Sequence, residues 1–470
     1  MALRLDVNCM MTERIGGYGI GRGQVEALKR RLENARARLY ALDTGPKANR
    51  VAAGEEWLAL PHQDKALIRR IIDVGEAFAE SFEDVIILGI GGSYLGAQML
   101  MEALASPHYN EFPAARKNRA RVHFEGNNMS PDSLHTLLQN CNPSKTGVIV
   151  ISKSGETTET KAAFLILKEW LSKGAEVGRL GDHIVAITDP AKGELRKEVI
   201  AEGYTSFEVP EGVGGRWSVL SPVGLLPAAV VGIEVEALLA GMARAKEACL
   251  REDVWQNPAL LMAALQYLHA TLKNVNVEMV MPFDGQLFGL SRWYQQLLAE
   301  SLGKKFDLGG KIVSVGRTPV ALVGTSDLHS VHQLDAEGPY DKTVTFVTVK
   351  EFAGDLVIND PAGSFLHGKK LSEAQLAARL GTEYSLSVEG RPSANYIIDR
   401  RDAAHIGEIL GVMMFAVTYE GDLLGVNSKD QPGVEGYKQA MYGQLGKPGF
   451  EEIAAKLKAV ASDPAYLITV

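Results

Sequence analysis

Several stretches of the chain carry side chains able to do chemistry. Ser152-Lys153-Ser154-Gly155-Glu156-Thr157-Thr158 sets hydroxyls, a cation and a glycine just ahead of a helical pattern. Hydroxyls and free amides at a helix start suit a phosphate monoester dianion. The same residues also serve as an ordinary Ser/Thr helix cap. Glu211-Gly212-Val213-Gly214-Gly215-Arg216-Trp217-Ser218 sets an arginine among glycines. Such a guanidinium either sits close to a substrate and stabilises developing negative charge, worth about 3–4 kcal/mol in a transition state, or is a surface side chain. Arg292, Gln296 and Glu300 recur at helical spacing between Leu290, Leu297 and Leu298. They share one helix face, which either meets solvent or offers Glu300 as a base.

Further along, Asp327-Leu328-His329-Ser330-Val331-His332 raises a metal site, but no third ligand stands at a clear spacing. A single acid–base histidine fits that segment better. Asp430-Gln431-Pro432-Gly433-Val434-Glu435-Gly436-Tyr437-Lys438 is a turn running into a helix. By itself it shows only a loop and a lysine. Gly89-Ile90-Gly91-Gly92-Ser93-Tyr94 has the outline of a dinucleotide-binding turn, yet Tyr94 stands where the third glycine belongs. Either it presents amides and the Ser93 hydroxyl to an anion, or it only packs a strand tightly on a helix.

These residues need a scaffold. Asp84 to Ile90, Gly147 to Ser152 and His183 to Asp189 are short apolar runs, read as buried strands. Val277 to Phe283, Pro319 to Gly324 and Thr343 to Val349 form a second series. Helical patterns lie between them, one opening at Ser130-Pro131-Asp132. Alternation of this kind predicts α/β architecture with mainly parallel sheets covered by helices. The expected divisions are a helical extension at 1–60, a first α/β domain at 61–235, connecting helices at 236–275, a second α/β domain at 276–425 and an arm at 426–470.

The chain has 470 residues, with 49 Lys plus Arg against 57 Asp plus Glu. That balance lacks the basic footprint of a nucleic-acid binder but leaves room for a small anionic substrate. Cys9, Cys141 and Cys249 are far apart and fit no zinc spacing, so reduced thiols in a cytoplasmic protein are expected. The opening MALRLDVNCMMTER has no apolar core of a signal peptide. The apolar stretch from Val219 to Ile233 is broken by Ser221, Pro222, Gly224 and Pro227, so no membrane span is expected.

Taken together, GIGGSYLG, ISKSGETTET, GVGGRWSVLSPVGLLP, WYQQLLAESLGK, DLHSVHQL and QPGVEGYKQ, in that order, resemble the glucose-6-phosphate isomerase family in its shorter bacterial form. The resemblance runs from about Val85 to Gly446. It implies two sugar-isomerase (SIS-type) α/β domains and a metal-free aldose–ketose isomerase acting through a cis-enediol, with no cofactor. It implies a phosphate site at Ser152, Lys153, Ser154 and Thr157, with Gly92, Ser93 and Gly215 beside it. Arg216 matches the residue that stabilises the intermediate, Gln296 a substrate contact, and Glu300 the base that carries the proton. His329 and Lys438 match groups that assist ring opening. In the family the histidine comes from the neighbouring subunit, which implies a homodimer or larger homo-oligomer. Glu156 inside the phosphate loop and Lys429 ahead of QPGVE depart from the family pattern. Glu156 is expected to point away from the anion. The alternative is another SIS-domain sugar-phosphate isomerase, including a dual glucose/mannose 6-phosphate enzyme, or a sugar-phosphate-binding regulator without catalysis.

Overall fold

The computed structural model describes residues 3–174, 179–460 and 463–469, so Met1 and Ala2 of the opening segment lie outside it. The strands are β1 (Arg4–Asp6), β2 (Asp84–Leu88), β3 (Arg121–Glu125), β4 (Thr146–Ile151), β5 (Ile184–Thr188), β6 (Thr205–Glu208), β7 (Val277–Pro282), β8 (Lys304–Phe306), β9 (Ile312–Val315), β10 (Thr318–Ala321), β11 (Lys342–Glu351) and β12 (Ser393–Arg400). One five-stranded sheet runs β3-β2-β4-β5-β6 and is parallel throughout. A second runs β1-β12-β11-β7-β10, parallel except for the edge strand β1. The α/β architecture with mainly parallel sheets is therefore the one the sequence predicts. Both sheets lie in a compact unit that ends at Ser428, and Lys429 onward forms a second unit. The second unit holds the helices Glu435–Gln444 and Glu451–Ala459.

Strands β2, β4 and β5 are buried at every residue, as near-continuous Val/Ile/Leu runs in a sheet covered on both faces should be. From β2 the chain crosses to β3 on one side, then returns past β2 to β4 on the other. The order therefore reverses between β2 and β4. Ligand crevices of open α/β sheets form at such a point, beyond the carboxyl ends of the strands. The loops that follow β2 and β4 are the glycine turn and the Ser/Thr segment.

The expected helices are present: Lys65–Ser81 capped by Asp64, Leu95–Leu104, Pro131–Asn140 with proline at its first position, Pro222–Val230, Phe288–Leu302, Leu371–Val388 and Ala403–Leu424. Among the described residues, no helix is long and apolar enough to cross a membrane. All three cysteines are free thiols, and burial raises the pKa of each.

A buried ionic network anchors the second half of this unit. Arg317, just ahead of β10, donates from Nε and Nη2 to Glu420 at 2.7 and 2.5 Å, and from Nη1 to Glu278 at 2.5 Å. Burial works against its charge, but Glu420 and Glu278 more than offset that and raise its pKa. Glu278 also accepts from Gln266, Thr345 and Tyr294 at 3.1, 2.8 and 3.1 Å. Tyr294 lies on the Phe288–Leu302 helix, so this network fixes the element that carries Gln296 and Glu300. Removing the cation would strand two buried carboxylates. Arg317→Met is predicted to lower unfolding free energy by about 3–5 kcal/mol in neutral urea titrations. A wild-type unfolding midpoint with an unchanged m-value would contradict that role.

Candidate active site

The glycine turn after β2 is a short 3-10 segment, Gly91–Ser93, that leads into the Leu95–Leu104 helix. Gly91 has φ +57°, and a Cβ there would lie 2.9 Å from Nε2 of Gln296. Gly92 lies against backbone: an added Cβ would fall 2.1 Å from the carbonyl carbon of Gly215 and 2.6 Å from the amide of Arg216. No rotamer change can relieve a clash with main chain, so glycine is required at 92 by this contact. The turn after β2, the Gly215–Trp217 turn and the Phe288–Leu302 helix thus meet at one place.

Arg216 is the centre of that meeting. Its side chain is 2% exposed. Nε donates to the hydroxyl of Ser301 at 2.8 Å, and Nη2 to the carbonyl of Ser428 at 2.6 Å. Nη1 faces Oε2 of Glu300 at 3.3 Å. The other oxygen, Oε1, accepts from Nε2 of Gln296 at 3.1 Å. Glu300 is 31% exposed, so the buried cation has a counter-charge that solvent or a ligand can reach. An arginine buried without such a partner would cost several kcal/mol. Of the expected polar stripe, Arg292 faces solvent while Gln296 and Glu300 are half-buried beside Arg216.

The Ser/Thr segment follows β4. The Ser152 hydroxyl is buried and accepts from the amide of Gly155 at 3.0 Å. The Ser154 hydroxyl accepts from the amide of Glu156 at 3.1 Å. Gly155 has φ +76°, and a Cβ there would fall 2.3 Å from the amide of Leu195. Thr157 precedes the Thr158–Ser172 helix, and its own side chain makes no capping hydrogen bond. Lys153, Ser154 and Glu156 are exposed, and Thr157 is half-buried. Gly126 joins the two loops. A Cβ on it would lie 3.4 Å from both the Gly89 amide and Cα of Thr160, and its carbonyl accepts from the Thr160 hydroxyl at 3.3 Å.

His329 ends the 3-10 turn Ser326–His329 after β10 and is exposed. Among the described residues, no hydrogen bond joins it to the Arg216–Glu300 cluster. Lys438 lies on the Glu435–Gln444 helix of the second unit and pairs with Glu435 at 2.8 Å. That hydrogen bond, chiefly, raises its pKa. Among the described residues, one group of His, Cys, Asp and Glu places three ligand atoms within 4.8 Å of one another, and it is Asp84, His123 and Cys141. The sequence reading missed Ser301 and the Ser428 carbonyl as anchors of Arg216. Neither shows a local pattern, since both act through contacts distant in sequence.

The family model for phosphoglucose isomerase matches residues 59–360. The glucose-6-phosphate isomerase of Carboxydothermus hydrogenoformans is 35% identical over 474 residues, covering 100% of both chains. That of Rubrobacter xylanophilus is 40% identical over 377 residues, 78% of this chain and 83% of the relative. Among solved structures, a hypothetical protein from Thermus thermophilus superposes with TM-score 0.82 at 33% identity, covering 94% of this chain and 100% of the other. A glucose-6-phosphate isomerase from Chlamydia trachomatis gives TM-score 0.77 at 20% identity, covering 97% and 95%, and shares the fold. The sequence, the matching fold and these full-length relatives agree: the chain belongs to the phosphoglucose isomerase family.

Proposed function

We propose that this protein interconverts glucose 6-phosphate and fructose 6-phosphate, a glycolytic and gluconeogenic step, by moving one proton between C2 and C1. The observation that carries the reading is the carboxylate of Glu300, held by Gln296 and Arg216 and still reachable by a ligand. A carboxylate placed against a substrate carbon can act as a general base for a carbon-bound proton. Loss of the C2 proton leaves a cis-enediolate with charge on oxygen. The Arg216 guanidinium is permanently charged. Its Nη1 reaches Glu300 at 3.3 Å, a longer contact than the 2.8 and 2.6 Å bonds that hold Nε and Nη2. Nη1 is therefore the edge from which donation can shift to the new oxyanion as Glu300 becomes neutral. A hydroxyl proton then passes from O2 to O1, and Glu300 returns its proton to C1 as the C2 carbonyl forms.

In this reading the phosphate binds at Ser152, Lys153, Ser154 and Thr157, beside the first turn of the Thr158–Ser172 helix, whose amino end favours an anion. Gly92, Ser93 and Gly215 border the sugar, and Gln296 orients it. The backbone amide of Glu156 donates to the Ser154 hydroxyl at 3.1 Å, and the reading requires its carboxylate to point away from the phosphate. His329 and Lys438 assist ring opening. The exposure of His329 suits a role in a neighbouring subunit's site, and hence a homodimer or larger homo-oligomer.

A coupled assay of fructose 6-phosphate conversion with EDTA present tests the reading, with mannose 6-phosphate run in parallel to measure tolerance at C2. Rapid, chelator-resistant formation of glucose 6-phosphate is expected. A folded protein that binds the sugar phosphate without turnover would be a binding regulator instead.

Three variants divide the roles. Glu300→Gln is expected to lower kcat at least ~100-fold with KM little changed, because it removes a base and keeps the shape. Near-normal turnover would remove Glu300 as the base. Ser152→Ala and Thr157→Ala should mainly raise KM for sugar phosphates. Unchanged KM in both would place the phosphate elsewhere. Ser301→Ala takes away the acceptor that orients Arg216. Its kcat should fall roughly tenfold while KM holds, and an equal effect on both would assign Ser301 to binding rather than to Arg216.

A further inference from the structure

We propose that Asp84, His123 and Cys141 form a binding site for a thiophilic divalent cation of the zinc class. The three residues come from separate elements. Asp84 opens β2, His123 lies within β3, and Cys141 directly follows the Pro131–Asn140 helix. Their ligand atoms lie within 4.8 Å of one another. Oδ1 of Asp84 is 2.8 Å from Nε2 of His123. Bonds of ~2.0–2.3 Å to a tetrahedral ion would set neighbouring ligand atoms roughly 3.3–3.8 Å apart. The carboxylate–imidazole pair must open by at least about half an ångström, and a ligand atom at the 4.8 Å limit must move in by about 1 Å.

The surroundings resemble support for a ligand set more than a closed ion pair. Asp84 is buried, and its second oxygen, Oδ2, accepts from Nη2 of Arg121 at 2.8 Å. Arg121 and His123 are two residues apart on β3 and so share one face of the sheet. The arginine can hold the carboxylate through Oδ2 while Oδ1 turns to the ion, as outer partners of metal-binding carboxylates do. His123 also forms part of the wall of an open cleft of about 730 Å³ shared with Glu125, Ser133 and Asn140. Asp84 and Cys141 do not line that cleft, so His123 is the ligand that borders solvent there. A sulfur–nitrogen–oxygen set selects zinc-like ions over magnesium or calcium, which take oxygen ligands. Asp84 stands at the amino end of β2, and the glycine turn stands beyond the carboxyl end. At ~3.3 Å per residue, more than ~13 Å of strand separates this site from the proposed sugar-phosphate site. The two proposals therefore stand or fall separately.

The test is a cobalt titration of the metal-stripped full chain, followed by thiolate-to-cobalt charge-transfer absorption. Wild type should develop the band to saturation at one equivalent, and Zn²⁺ should abolish it. Cys9→Ser and Cys249→Ser should keep it. Cys141→Ser should lose it, and His123→Gln should weaken binding by at least ~10-fold. Absence of the band in wild type overturns the proposal without recourse to any variant. So does a band that persists in folded Cys141→Ser. If Cys141→Ser does not fold, unchanged affinity in His123→Gln overturns it equally.

Discussion

A buried guanidinium must be matched on every side, and Arg216 shows what that requirement imposes. Its three directions are taken by Ser301, by the Ser428 carbonyl and by Glu300. Those partners come from the helix after β7 and from the last residue of the first unit. The arginine itself sits in the turn after β6. One side chain therefore ties together segments more than two hundred positions apart. The carboxylate that balances its charge is also the one group of the cluster placed to take a proton.

Arg216 reaches that position because the backbone around it is compressed. Gly92 touches the Gly215–Arg216 main chain, and Gly91 touches Gln296. Side chains at these glycines would push the turns apart and move the guanidinium from the carboxylate. The parallel sheet supplies the other constraint. Its strand order reverses between β2 and β4, so the glycine turn and the Ser/Thr segment emerge as neighbours at the carboxyl edge. Gly126 lies against both. The Arg317 network acts one step further out, gripping the Phe288–Leu302 helix through Tyr294 and Glu278.

Much of the fold was legible because the central strands are unbroken apolar runs. Asp84–Leu88, Thr146–Ile151 and Ile184–Thr188 could hardly be read otherwise. Of the edge strands, Thr318–Ala321 was read as a strand, but the two edges of the first sheet were not legible. Arg121–Glu125 and Thr205–Glu208 mix charge with apolar residues because one flank of each lacks a neighbour. Arg4–Asp6 joins the second sheet only through pairing with residues near 396, which no local pattern encodes. Ser393–Arg400 was also missed, its apolar core being brief and framed by Asn395, Asp399 and Arg400. At the site, helical spacing correctly grouped Gln296 with Glu300, while the glycines around Arg216 left open whether the guanidinium met a substrate or the surface. The contact between Arg216 and Glu300 was not visible, since 84 positions separate them. The Asp84–His123–Cys141 cluster was hidden for the same reason: parallel pairing, not sequence spacing, brings β2 and β3 together.

In the proposed reaction one carboxylate moves a proton between adjacent carbons beside a fixed cation. Following deuterium from C2-labelled glucose 6-phosphate into fructose 6-phosphate tests this directly. A proton held on Glu300 exchanges with water in competition with its return to the sugar. The account predicts that part of the label appears at C1 and the rest is lost to solvent. Complete retention at C1 under all conditions would mean a hydride shift, and would contradict the account.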